Sequence, residues 1–77
     1  MNDRIPKQEI EKWLNKINNR LENIKPKNEK GKEFLENINA YVYDCKHFLK
    51  NGDYMRSFEA VIWAWAWLEI GEKLRFF

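Results

Sequence analysis

Residues 60–70 read AVIWAWAWLEI and place three tryptophans at every second position, Trp63, Trp65 and Trp67. A period of two is the alternation of a half-buried strand. The flanking segments DYMRSFEAV and LEIGEKLRFF keep a helical period, however, and a lone strand would leave its backbone N–H and C=O groups without partners. On a helix each residue advances roughly 100°, so Trp63 and Trp67 share a face while Trp65 points nearly the opposite way. Two seams follow. Tyr54, Phe58, Val61, Trp65 and Leu68, with Ile62 beside them, are expected to face the core, and Trp63, Trp67, Ile70 and Leu74 form a second stripe about 180° away. A closed three-helix bundle meets each helix on one broad face, so the second stripe requires a cover: the first helix in an open arrangement, or another protein chain.

The rest of the chain supplies two more helices. Pro6 suits a first helical turn, and Glu9 and Glu11 sit favourably near the positive end of the helix dipole. Ile10, Leu14, Ile17, Leu21 and Ile24, widened by Trp13, recur at four-three spacing, the seam of a helix packed lengthwise on others. Pro26 ends that helix. The polar connection KPKNEKG is short enough to make the next helix an antiparallel neighbour. There Phe34, Leu35, Ile38, Tyr41, Val42, Cys45, Phe48 and Leu49 span an apolar arc of roughly 140°, enough to face two helices. In KNGD, Gly52 supplies a left-handed C-terminal cap and Asp53 an N-cap. The expectation is an all-α, antiparallel up-and-down bundle occupying 1–77 as one domain, with helices at 7–24, 32–50 and 54–74.

A chain of 77 residues buries a smaller share of its surface than a full-size domain. One cysteine, Cys45, excludes an intramolecular disulfide and the Cys-rich zinc patterns, and fits a reducing, cytoplasmic compartment. Stability must then come from an aromatic core or from surface buried in an oligomer. The N-terminal sequence MNDRIPKQEIEKW lacks the apolar stretch of a signal peptide. The apolar run at 60–68 is less than half of the roughly 20 residues a membrane span needs. Neither a metal nor a cofactor is expected: a single histidine is present, and the three glycines are isolated rather than arranged to cradle phosphate.

Charge is uneven. Residues 1–32 carry nine Lys/Arg against five Asp/Glu, and residues 33–77 carry five against seven. The basic excess peaks at Lys25, Lys27, Lys30 and Lys32 around Glu29. Such a run reads first as a solvated loop, and otherwise as a nucleic-acid contact, although the stronger basic stripe and recognisable motif of that class are missing. In an antiparallel hairpin turning at 50–53, positions whose numbers sum to about 103 face each other. That brings Asp44 near Glu59 and His47 near Arg56, either an interhelical salt-bridge network or, in the alternative, an acid/base or metal site short of ligands. Glu69 falls at the edge of the apolar face, where a carboxylate is partly desolvated unless a Lys or Arg reaches it. Cys45, within its helix's apolar arc, reads as an inert buried thiol.

The segment AYVYDCKHFLKNGDYMRSFEAVIWAWAWLEIGEKL resembles the archaeal helical family called domain of unknown function 357. The resemblance rests on Tyr41, Asp44, Phe48, Leu49, Gly52, Asp53, Phe58, Glu59, Ala60, Trp67, Leu68, Glu69 and Gly71, and departs at Ala66 and Glu69, where Gly and Asp are usual. It implies a small up-and-down three-helix bundle of archaeal origin and no particular activity. The expectation for function is therefore a non-enzymatic interaction module that forms a homodimer, or docks on another protein, through Trp63, Trp67, Ile70 and Leu74. Nucleic-acid association through residues 25–32 is the alternative, and an enzyme built on the hairpin cluster the third.

Overall fold

The computed structural model describes residues 5–77; the first four residues of the expected 1–77 domain lie outside the described residues. Three helices follow in order: α1 (Lys7–Leu21), α2 (Glu29–Lys50) and α3 (Tyr54–Lys73). They form an all-α up-and-down bundle with extents of 45 × 18 × 18 Å.

The α2–α3 turn forms as its sequence predicts. Gly52 adopts φ +78°, its N–H donates to the Leu49 carbonyl at 3.1 Å, and the Asp53 N–H reaches back to Phe48 at 2.9 Å. These two bonds close a Schellman motif. The Asp53 carboxylate then accepts from the Arg56 N–H at 3.2 Å and starts α3. Phe34 against Trp67, Tyr41 against Trp63 and Cys45 against Ser57 all keep the register expected for this hairpin.

Two boundaries differ from expectation by three residues, and the end of α3 by one. α1 ends at Leu21 rather than at residue 24, because the N–H groups of Asn23 and Ile24 bond to carbonyls three residues back and tighten the chain out of α-helical geometry. Ile24 still packs against the core. α2 begins at Glu29 rather than at residue 32, because the Asn28 side chain accepts from the Gly31 N–H at 2.8 Å and caps a turn that reads from composition as loop. Gly31 is needed in that turn for a different reason. A Cβ there would lie 2.3 Å from the Phe76 carbonyl oxygen and 3.1 Å from the Pro26 Cβ.

α1 runs parallel to α3, since Trp13 meets Trp65 and Arg20 meets Glu72 at the same sequence offset. The core gathers Ile10, Leu14 and Ile17 from α1, Ile38, Val42 and Cys45 from α2, and Val61, Ala64 and Leu68 from α3. The buried line of α3 is Ser57, Ala60, Val61, Ala64, Leu68 and Gly71; it shares Val61 and Leu68 with the seam expected, whose Tyr54, Phe58 and Trp65 pack partly buried against the core. α3 lies between the other two helices, so its most enclosed direction bisects them. Small side chains there let the backbones approach, and the indoles splay to the two flanks, roughly 70–110° on either side at 100° per residue. Ile62, expected in the core, is 50% exposed.

Candidate functional site

On one flank of α3 the Trp65 Nε1–H donates to the Trp13 backbone carbonyl at 3.3 Å, and the two indoles meet edge to face at 5.9 Å. The Trp13 Nε1–H donates in turn to Glu9 at 3.1 Å. The Lys16 ammonium sits 5.2 Å from the Trp13 ring, and the Arg20 guanidinium, paired with Glu72, sits 5.9 Å from the Trp65 ring. α1 thus covers this side with aromatic, hydrogen-bonded and cation–π contacts. An open groove of about 390 Å³ remains beside them, lined by Trp13, Phe58, Ile62, Trp65, Ala66 and Glu69. Glu69 is exposed at its rim rather than partly desolvated within the apolar face.

On the other flank α2 takes the place of α1. Tyr41 stacks on Trp63 with centroids 6.4 Å apart and planes 23° apart. Phe34 meets Trp67 edge to face at 4.7 Å and Phe76 at 4.9 Å. Trp67 is thereby half-buried within the chain. Its three companions in the stripe are not: Trp63 is 55% exposed, Ile70 48% and Leu74 55%. The four side chains lie along one side of α3 beside α2, and the aromatic contacts to Trp63 and Trp67 come from Tyr41 and Phe34 of α2 rather than from α1.

The final residues form a feature that periodicity did not reveal. Arg75 adopts a left-handed φ of 62°. With Arg75 N–H donating to Glu72 and Phe76 N–H to Gly71, at 3.1 and 2.9 Å, the end of α3 closes a second Schellman motif. The chain then returns across the end of the bundle. The Phe76 carbonyl accepts from the Lys27 N–H at 2.8 Å, and the Phe77 ring lies against Gly71. The legible signal would have been Gly31 and Gly71, two helical positions that exclude a side chain.

The expected polar cluster is occupied by near-sequence pairs. Arg56 pairs with Asp53 at 3.5 Å and lies 5.7 Å from the Phe48 ring, while His47 Nε2 hydrogen-bonds the Asn51 side-chain amide at 3.3 Å. Asp44 and Glu59 are exposed. Among the described residues no three His, Cys, Asp or Glu side chains converge closely enough to hold a metal ion. In the basic segment, Lys30 pairs with Glu33 at 3.8 Å and Lys32 with Glu29 at 3.7 Å. Lys25 and Lys27 lie exposed on the α1–α2 connection. Two of the four cations therefore have a local counter-ion, which weakens the field a polyanion would meet.

Cys45 is fully buried. Burial pushes its thiol above the ordinary value, against the opposing pull of the Ser57 hydroxyl and the Lys46 charge. Ser57, the buried polar residue that the sequence reading passed over, donates its hydroxyl to the Cys45 carbonyl at 2.7 Å. Its position opposite Cys45 in the hairpin register was the available signal.

No described helix is long and apolar enough to cross a membrane. No curated protein matches this chain. A crystal structure of a protein from Archaeoglobus fulgidus, described as belonging to family DUF357, is similar to it: 43% identical, TM-score 0.82, over 91% of this chain and 87% of that one. The model of DUF357, described as a protein of unknown function, matches residues 10–77. With that match over nearly its whole length, and the three-helix architecture already in place, this chain belongs to the DUF357 family.

Proposed function

We propose that this chain is a non-enzymatic helical interaction module that self-associates through the face of α3 formed by Trp63, Trp67, Ile70 and Leu74. One observation carries the reading. Three large apolar side chains in a line are each about half exposed, although α1 and α2 already pack on the same helix. Contiguous apolar surface of this kind on a small protein marks an interaction site or an aggregation hazard. Covering several hundred square ångströms would yield a gross gain on the order of 10 kcal/mol at about 25 cal/mol per Å², before the entropic costs of association.

The charged hairpin residues favour this reading over chemistry, since Arg56 and His47 are engaged by Asp53 and Asn51. A cytoplasmic setting in an archaeon is part of the proposal. It is supported by the single buried thiol and by the Archaeoglobus relative.

Light scattering across a concentration series tests the module. The wild type should show a molar mass above that of the 9.5 kDa chain, and Trp63→Glu should return it to one chain while helical circular dichroism is retained. A wild type that stays monomeric at high micromolar concentration would sink the proposal.

A further inference from the structure

We infer that the crevice between α1 and α3 binds a small amphipathic anion, with its apolar body against Trp13, Phe58, Ile62 and Trp65 and its anionic head at Lys16 and Arg20. The crevice lies on the other flank of α3 from the stripe assigned to self-association, and the inference does not rest on that reading.

Two concavities that share Trp65 carry the inference. The first, about 390 Å³, is the groove walled by Trp13, Phe58, Ile62 and Trp65. The second, about 410 Å³, is lined by Lys16, Asn19, Arg20 and Asn23 beside Trp65. Each falls within the roughly 300–1,000 Å³ of small-molecule sites. In the first, both indole N–H groups are engaged, that of Trp65 by the Trp13 carbonyl at 3.3 Å and that of Trp13 by Glu9 at 3.1 Å. The rings therefore offer a ligand carbon surface, held edge to face at 5.9 Å.

The cations stand against the same two rings. The Lys16 ammonium is 5.2 Å from the Trp13 ring and the Arg20 guanidinium 5.9 Å from that of Trp65, so apolar wall and positive charge meet at one place. The second concavity has no carboxylate among its lining side chains. An ammonium, a guanidinium and two amides make it a donor-rich set suited to a carboxylate. Arg20 gives one amino group to Glu72 and keeps further N–H donors.

Facing charges set the class of head group. Glu72 on Arg20 and Glu69 on the rim of the apolar groove both come from α3. They offset much of the positive charge of Lys16 and Arg20, which suits a single carboxylate rather than a polyphosphate. Both concavities are open to solvent, so burial of the apolar body is partial. The simplest ligand of this description is a medium-chain fatty carboxylate.

Calorimetric titration of the full chain with decanoate and dodecanoate, below their micellar concentrations, tests the site. One dodecanoate should bind per chain with a Kd of about 1 mM or below, the weak limit for a ligand of this size. It should bind tighter than decanoate by up to about fourfold per added methylene, the limit of complete burial. Lys16→Gln should weaken binding about threefold, and Glu69→Gln, which removes a facing carboxylate, should tighten it about twofold. Ala66→Phe should fill the groove and abolish binding while helical circular dichroism is retained. Absence of dodecanoate binding, equal binding of dodecyltrimethylammonium, or an affinity unchanged in both charge variants would overturn the inference. So would an affinity lost in Trp63→Glu and kept in Ala66→Phe, which places the ligand on the exposed stripe.

Discussion

The carbonyl oxygen of Phe76 lies 2.3 Å from where a Cβ on Gly31 would sit, so the end of the chain and the first turn of α2 exclude any side chain between them. The same carbonyl holds the Lys27 N–H. The bond ties the α1–α2 connection to the residues that follow α3.

Gly31→Ala consequently has two opposed effects. Alanine favours the helix by about 1 kcal/mol. Against that, overpacking against backbone costs about 1–3 kcal/mol, because a carbonyl cannot swing aside as a flexible side chain can. A net loss of about 1 kcal/mol is expected in urea unfolding. In a chain ending at Arg75 the obstacle is gone, and the same substitution should be neutral or stabilising. Equal effects in both backgrounds would refute the close approach as the cause.

The tryptophans should separate by flank. Trp65 is held by α1 and a hydrogen bond, so Trp65→Ala should cost about 3 kcal/mol. Trp65→Phe, which keeps most of the ring and loses the N–H, should cost about 1 kcal/mol. Trp63 is 55% exposed and stacks on Tyr41, and Trp63→Ala should cost about 1 kcal/mol when measured at low micromolar concentration. Unfolding midpoints compared among these variants decide the matter. A Trp63 variant as damaging as the Trp65→Ala variant would mean that the exposed stripe is part of the core.

Cys45 makes stability depend on pH in one direction. The folded state holds the thiol proton more tightly than the unfolded state, because burial raises the pKa. The difference is silent while both states are protonated. Stability is lost as pH rises through the ordinary thiol range towards the raised folded value, where the unfolded chain releases its proton first. Comparing wild type with Cys45→Ala cancels the contributions of other titrating groups. Wild type should lose unfolding free energy relative to that variant between pH 8 and pH 10, roughly the range above a free thiol's pKa. A difference that stays constant over this range would contradict the burial of the thiol.

The helices and their hairpin were legible because their signals are local. Asp53 and Gly52 each do at the α2–α3 turn what their chemistry favours, and the register carried to Cys45–Ser57 and Tyr41–Trp63. Asn28 was equally local and was obscured by Gly31, whose presence in a helical turn is a packing requirement imposed by a residue 45 positions later. The candidate stripe was legible as a line of residues. How far each would be covered was not, since Phe34, itself packed on Phe76, reaches Trp67 while Ile70 and Leu74 stay half exposed.

Sequence alone determined that the chain makes three helices and that the last is apolar on both flanks, because periodicity, caps and turn residues act within a few positions. Tertiary structure alone decided which direction on α3 is most enclosed. That choice depends on where α1 and α2 stand around it. It selected the small residues Ser57, Ala60, Ala64 and Gly71 for the closest approach, and sent the indoles to the flanks, where α1 accepts a hydrogen bond from the partly buried Trp65 and α2 leaves Trp63 half exposed.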